Sequence, residues 1–371
     1  MTWRSWAGEQ VAALDAQGRW RAPRDLDARG VEGRLDDGRT VVSFASNDYL
    51  GLGAHPDVVA AAHDALERWG AGAGSARLIT GSRPVHTELE TELARWKHAE
   101  RAVLFATGYA ANLGVVSVFG GPDVLVCSDA LNHASIVDAC RLSRARVAVY
   151  DHCDVAAVDR LLRDAPGRAL VVSDSVFSMD GDVAPVDDLV AVCARHGALL
   201  VLDEAHAVLG PDVDARGADV VRVGTLSKYL GSSGGFAAAP ARFADLLVNR
   251  ARPYVFTTAG PPAAAAAALA ALRVLRSDDG ARLVARLRAL VQRVAPGRPS
   301  PIVPIVLGDE RVALEASAAL LERGLLVPAI RPPSVPPGTS RLRVTLSAVH
   351  SDAHVDALLR ALDEVVGARR G

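Results

Sequence analysis

Of the 371 residues in this chain only two are lysine, Lys97 and Lys228. Arginine is the cation used everywhere else, and an arginine in a protein can neither give up its proton nor condense with a carbonyl. Lys228 stands in the stretch VGTLSKYLGSSGGF, just behind the apolar run Asp219 to Val223, so the spacing places its amine past a strand end and over a cleft. A solvated loop cation fits the lysine alone equally well. A carboxylate, Asp203, closes the apolar run ALLVLD. At the tip of a buried strand it is costly unless it meets a cation or a donor, a need that a helix cap or a loop ion pair would also meet. One further strand lies between Asp203 and Lys228, so both side chains can project from one sheet edge into one crevice.

A cofactor that needs both an amine and a carboxylate is pyridoxal phosphate: the lysine condenses with its aldehyde, and the aspartate keeps its ring nitrogen protonated. Its phosphate calls for a helix N-terminus. Gly108-Tyr109-Ala110-Ala111-Asn112, which follows the strand around Val103 to Phe105, opens such a helix. Thr225 and Ser227 place hydroxyls beside the lysine, and His133 in SDALNHASI follows the next strand, where its ring could stack on the cofactor. Each of these is weak taken singly, since a lone histidine is more often structural.

The elements that must hold these groups follow from the pattern. From 85 to 275, helical stretches (Val85 to Lys97, Ala110 to Phe119, Ala134 to Leu142, Val155 to Arg163, Val186 to His196) alternate with short apolar runs, the signature of a mostly parallel sheet covered on both faces. In such α/β sheets ligands sit beyond the carboxyl ends of the strands. Residues 1–40 read as an arm with a hairpin turning at Asp37-Gly38, 41–270 as a large domain and 271–371 as a smaller α+β domain. Half the residues are hydrophobic and the formal charge is −2, which permits a large core and offers no basic field for nucleic acid or an anionic membrane. The N-terminal stretch has no continuous apolar segment and no run has a spanning pattern, so a cytoplasmic, membrane-free protein is expected. Four scattered cysteines without a CxxC pair are expected as buried free thiols, and no metal site is expected.

Six motifs in order, FASNDYLGLGAHP, ATGYAANLG, SDALNHASIVDA, SVFSMDGDVAPV, VLDEAHAVLG and GTLSKYLGSSGG, resemble those of the α-oxoamine synthases, fold type I pyridoxal phosphate enzymes that join an amino acid to an acyl thioester. The resemblance runs from Arg21 to the last helix. The segment AIRPPSVPPGTSRLRVTLSAVH looks most like that of family members condensing L-alanine with a pimeloyl thioester in biotin synthesis. Glycine-using members are the alternative.

Carried over by position, the resemblance implies that Lys228 binds the cofactor aldehyde and Asp203 the pyridine nitrogen. It implies that His206 and Ser178 bond the phenolic oxygen side, that His133 stacks on the ring, and that Gly108, Tyr109 and Thr225 contact phosphate or ring. Arg343 would clamp the amino acid carboxylate, Arg21 and Ser334 would line the acyl site, and Asn47 and His86 would lie near the cofactor. Thr257 and Thr258, in YVFTTAGPP, match a segment that reaches the phosphate of a neighbouring subunit, implying a homodimer with shared sites. The acyl group would arrive on coenzyme A or an acyl carrier protein. His206 is followed by Ala207-Val208-Leu209 where relatives carry a glycine-rich turn, and Ser334 stands where threonine is common.

Overall fold

The computed structural model describes residues 1–367. Its centre is a seven-stranded sheet in the order Arg101–Phe105, Gly235–Ala239, Val220–Thr225, Leu199–Asp203, Ala169–Asp174, Leu125–Asp129, Arg146–Tyr150. Neighbours pair in parallel except at Gly235–Ala239, which runs against both of its partners. The apolar runs expected as strands are all strands, and the α/β architecture is the one their alternation with helices implies. Gly235–Ala239 is the addition. Its sequence, GFAAA, lacks the β-branched residues that mark a strand, so the stretch after Gly231 reads as loop. Gly235 is required by close approach, since a Cβ there would stand 2.4 Å from the carbonyl oxygen of Thr107.

Helices cover both faces. On one, the alanine-rich helix Pro262–Leu275 packs against Pro56–Trp69 and Pro84–Trp96. Small side chains let these backbones come close, and the helix runs unbroken through residue 270, where the change of texture had placed a boundary. The buried cluster beneath it is continuous from Leu104 and Phe236 through Phe44 and Leu50 to Val303, Leu342 and Val344. Those last residues belong to a three-stranded antiparallel sheet, Ile302–Gly308, Ser340–Thr345 and Ala329–Ile330, flanked by the helices Asp278–Val294, Glu310–Leu321 and Asp352–Leu362.

The expected hairpin pairs Glu32–Leu35 with Thr40–Ser43, and Gly38 takes a φ of 86° at its turn. Its second strand adds Leu325–Leu326 in parallel, which ties the start of the chain to the C-terminal region. Ahead of it the helix Trp3–Ala16 buries no residue. Among the described residues no helix is long and apolar enough to cross a membrane. All four cysteines are free thiols; Cys127, Cys140 and Cys193 are buried and Cys153 is half-buried.

Candidate active site

The parallel strands deliver their carboxyl ends to one edge, where a cavity of about 200 Å³ is lined by Thr107, Gly108, Tyr109, Asn112, His133, Ser135, Asp174, Asp203, Ala205, His206, Thr225, Ser227 and Lys228. The sequence places Lys228, Asp203, His206, His133, Gly108, Tyr109 and Thr225 together, and they meet here. The other lysine, Lys97, is buried elsewhere in an ion pair with Glu204, its amine 2.7 Å from Oε2. Arg222 takes the other oxygen of Glu204.

Asp203 is held at the strand tip by two donors: its Oδ1 accepts from the amide of Ala205 at 2.9 Å and its Oδ2 from Nδ2 of Asn112 at 2.6 Å. Nδ2 of Asn112 also reaches Ser135 Oγ at 2.9 Å. Asn112 lies one helical turn beyond Gly108 and so shares its face, a signal present in the sequence but unused. Asp174 is another residue that sequence reasoning missed. Its strand, ALVVSD, ends in aspartate as ALLVLD does, and in the sheet Asp174 stands in register with Asp203. Burial first, and then the Asp203 charge, raise the Asp174 carboxyl well above the usual range.

The helix Gly108–Phe119 is capped by Thr107, whose hydroxyl accepts from the Ala110 amide at 3.0 Å. No described residue accepts from the Gly108 or Tyr109 amides, which leaves two donors at a positive helix end. A Cβ at position 108 would stand 3.2 Å from Cβ of Thr225, so glycine keeps this cradle open. Thr225 Oγ1 and Ser227 Oγ lie 2.7 Å apart beside it. The ring of His133 forms a wall, fixed through Nδ1 to Ser135 Oγ at 2.8 Å and through its amide to Asp174 at 2.8 Å.

Behind the lysine runs a directed chain of hydrogen bonds. Nζ of Lys228 lies 2.7 Å from Nε2 of His206, and Nδ1 of His206 lies 2.6 Å from the hydroxyl of Tyr49. That hydroxyl donates to Oδ1 of Asn47 at 3.0 Å, and the same oxygen accepts from Nη2 of Arg343 at 3.3 Å. Burial, then the Lys228 and Arg343 charges, hold His206 well below the usual imidazole range. Neutral and protonated on Nδ1, it donates to Tyr49 and offers its Nε2 lone pair to the lysine. Burial also brings Lys228 down to about 8. Tyr49 belongs to FASNDYLGLGAHP, whose turn formers conceal two fully buried rings, Phe44 and Tyr49.

Other expected residues stand apart from this cavity. Ser178 and Ser334 line a second cleft of about 510 Å³ with Leu131, Met179 and Pro332 to Pro337. Ser178 offers Arg343 its carbonyl, which accepts from Nε at 2.6 Å. Arg21 sits over that cleft, donating to the Pro332 carbonyl at 3.3 Å. His86, Thr257 and Thr258 line a third cavity of about 180 Å³; His86 is tied there to the Gly260 carbonyl at 2.9 Å. Val208 and Leu209, which replace the glycine-rich turn, pack against the main core.

The first cavity thus offers an amine, a buried carboxylate with its own donors, an aromatic wall and an open helix N-terminus. These fit a flat aldehyde-bearing pyridine with a phosphate arm. The family model described as "aminotransferase class I and II" matches residues 39–362. The chain is 51% identical to the 8-amino-7-oxononanoate synthase of Anaeromyxobacter dehalogenans (strain 2CP-1 / ATCC BAA-258), over 97% of this chain and 95% of that one. Serine palmitoyltransferase of Sphingomonas wittichii superposes with a TM-score of 0.90 at 33% identity, covering 98% of this chain and 97% of that one. The S. paucimobilis enzyme, bound to a PLP–myriocin aldimine, superposes with a TM-score of 0.90 at 31% identity, covering 97% and 96%. Matched in sequence and in fold over nearly its whole length, the chain belongs to the α-oxoamine synthase family of fold type I pyridoxal phosphate enzymes.

Proposed function

We propose that this protein condenses L-alanine with a pimeloyl thioester, giving 8-amino-7-oxononanoate, carbon dioxide and free thiol for biotin synthesis. The observation that carries the reading is 51% identity, along 97% of the chain, to a synthase of that name. Pyridoxal phosphate, when bound in this cavity, would supply an aldehyde for the alanine amine and a ring to accept the electron pair left on Cα.

The chain's own residues do the rest. Asp203, fixed by Asn112 and the Ala205 amide, would hold a proton on the ring nitrogen. The Gly108 and Tyr109 amides, with Thr225, would receive the phosphate, and His133 would cover the ring. The amine of Lys228 takes the Cα proton; burial, which brings its pKa down to about 8, leaves a share of it unprotonated near neutral pH. Arg343 binds the alanine carboxylate through its planar fork. Arg21 and Ser334 line the acyl cleft, and Ser178 sets Arg343 from the same side. Attack on the thioester carbonyl expels the thiol, and the β-keto acid so formed releases the alanine carboxylate as carbon dioxide. Coenzyme A and an acyl carrier protein both present the thioester this chemistry needs. Thr257 and Thr258 complete the phosphate site of a second copy in a homodimer.

The test is the purified holoenzyme supplied with pimeloyl-CoA and either L-alanine or glycine, with product identified by mass and thiol release followed by absorbance. Alanine is expected to be strongly preferred. Faster turnover with glycine would assign the chain to the glycine-using branch. Borohydride reduction and peptide mapping should find the cofactor on Lys228, and a label on Lys97 would overturn the site assignment.

A further inference from the structure

His152 lies outside the cavity, and none of the roles above uses it. Its ring is set between two carboxylates: Nδ1 lies 3.0 Å from Oδ1 of Asp129 and Nε2 lies 2.7 Å from Oδ2 of Asp182. Asp129 ends a strand and organises the loop that leads to His133. Its Oδ1 accepts from the Leu131 amide and its Oδ2 from the Cys153 amide, both at 2.8 Å. Asp182 belongs to the tight hairpin closed by the Val176–Val183 bridge. The other oxygen of Asp182 is buried with no hydrogen-bond partner, so His152 is the one hydrogen bond holding that carboxylate among the described residues.

The hairpin has consequences at the site. It carries the Ser178 carbonyl that accepts from Nε of Arg343 at 2.6 Å, and Asp180, which pairs with Arg341. The 510 Å³ cleft lies between this hairpin, contributing Phe177 to Asp180, and the Asp129 loop, contributing Ala130 to Asn132. The edge of the His152 ring meets Phe177 with centroids 4.3 Å apart. The ligand atoms of Asp129, His152 and Cys153 lie within 4.8 Å of one another. Because both imidazole nitrogens face carboxylate oxygens, the arrangement is that of an ion bridge, in which both nitrogens donate, and not that of a metal ligand with a free lone pair.

We propose that His152, as an imidazolium clamped between Asp129 and Asp182, is a positioning residue for the amino acid site: it locks the Val176–Val183 hairpin against the loop of His133 and so fixes the guanidinium of Arg343. This rests on the reading of Arg343 as the alanine carboxylate clamp. The groups facing the imidazole are the two carboxylates, the thiol of Cys153 and the Phe177 ring. Burial pushes the thiol up to about 11, so it stays neutral. Burial disfavours the imidazolium, but the two carboxylates outweigh it and raise His152 above its ordinary value. The bridge is therefore complete below that raised value, for as long as both carboxylates stay ionised. It is lost as pH rises through that raised value, when one nitrogen stops donating and its lone pair meets a carboxylate.

The test titrates L-alanine into the holoenzyme and follows the change in its visible absorption, from pH 6 to 9.5, for wild type, His152→Asn, Asp182→Asn and Arg343→Lys. The quantity read is the half-saturating alanine concentration of each variant divided by that of wild type, in which the titrations of alanine and Lys228 cancel. For His152→Asn the ratio is expected to be about 5- to 10-fold at pH 6 to 7 and to fall toward one as wild type loses its own bridge. Asp182→Asn keeps an acceptor but no charge, and should give a smaller ratio at pH 6 to 7 that falls toward one over the same pH range, as wild type loses its bridge. A ratio near one at every pH, with only the melting temperature lowered, would leave His152 a structural residue and overturn the proposal. If His152→Asn does not fold, Asp182→Asn decides by the same criterion. An Arg343→Lys variant with unchanged alanine response would instead remove the carboxylate clamp, and the proposal with it.

Discussion

The amine of Lys228 and Nε2 of His206 are 2.7 Å apart, and His206 is turned so that its other nitrogen is already engaged by Tyr49. The lysine therefore faces a neutral lone pair in a buried setting that opposes its own charge. An amine whose value when folded, about 8, lies below its unfolded value of about 10.4 resists protonation, and the apoprotein bears that cost. The cost develops as pH falls from the unfolded value to about 8 and is fully present below. Two to three units correspond to something on the order of 3 kcal/mol. Apoprotein carrying Lys228→Met should accordingly be more stable than wild-type apoprotein at pH 7, by about 1 to 3 kcal/mol, and the difference should shrink by pH 10. Denaturant unfolding at the two pH values measures it.

Arg343→Lys should weaken alanine binding while leaving the cofactor in place. A point charge replaces a fork, and a charge-assisted bond of this kind is worth about 1.5 to 3 kcal/mol. Equilibrium titration of the holoenzyme with alanine reads this directly, and the cofactor content of the purified variant supplies the control.

Asn112→Ala should lower cofactor retention and turnover together. It removes the 2.6 Å donor from Asp203 and leaves a buried carboxylate oxygen short of a partner, a loss of about 1 to 3 kcal/mol. Dialysis against a carbonyl scavenger, followed by the visible absorbance, checks retention. Asn112→Asp should be worse, because a third carboxylate would join Asp174 and Asp203.

Mixing two inactive variants, Lys228→Ala and the double Thr257→Ala/Thr258→Ala, and refolding them together should restore part of the activity. Thr257 and Thr258 line a cavity separate from their own chain's Lys228, and Phe256 beside them is 70% exposed. A hybrid dimer would hold one site with both parts intact. Sedimentation showing an active monomer at assay concentration would refute the shared site.

Much of this was legible in the sequence because the parallel sheet converts sequence pattern into position. Each apolar run ends at the same edge, so Asp203, His133 and Lys228 could be brought together from their places after successive strands. Asp174 escaped although it follows the same rule, since the strand tip carried no separate chemical cue. Arg343 lies far along the chain from Asn47 and Tyr49 and meets them only because the small sheet packs on the same core as Phe44. Tertiary contact of that kind leaves no periodic trace. The Gly235–Ala239 strand was hidden for a different reason: its alanines are selected for thinness between two packed helical layers, not for strand propensity.

The burial of Lys97 in its ion pair with Glu204 leaves the protein with no ε-amine on its outer surface, because the only other one lines the cavity. Amine-directed crosslinkers, dyes and acylating agents would find no lysine to modify on the outside of the molecule. Once reaction at the chain's α-amine is accounted for, such reagents would report on access to the cavity, and cofactor protection of Lys228 could be followed by them without a background of surface lysines.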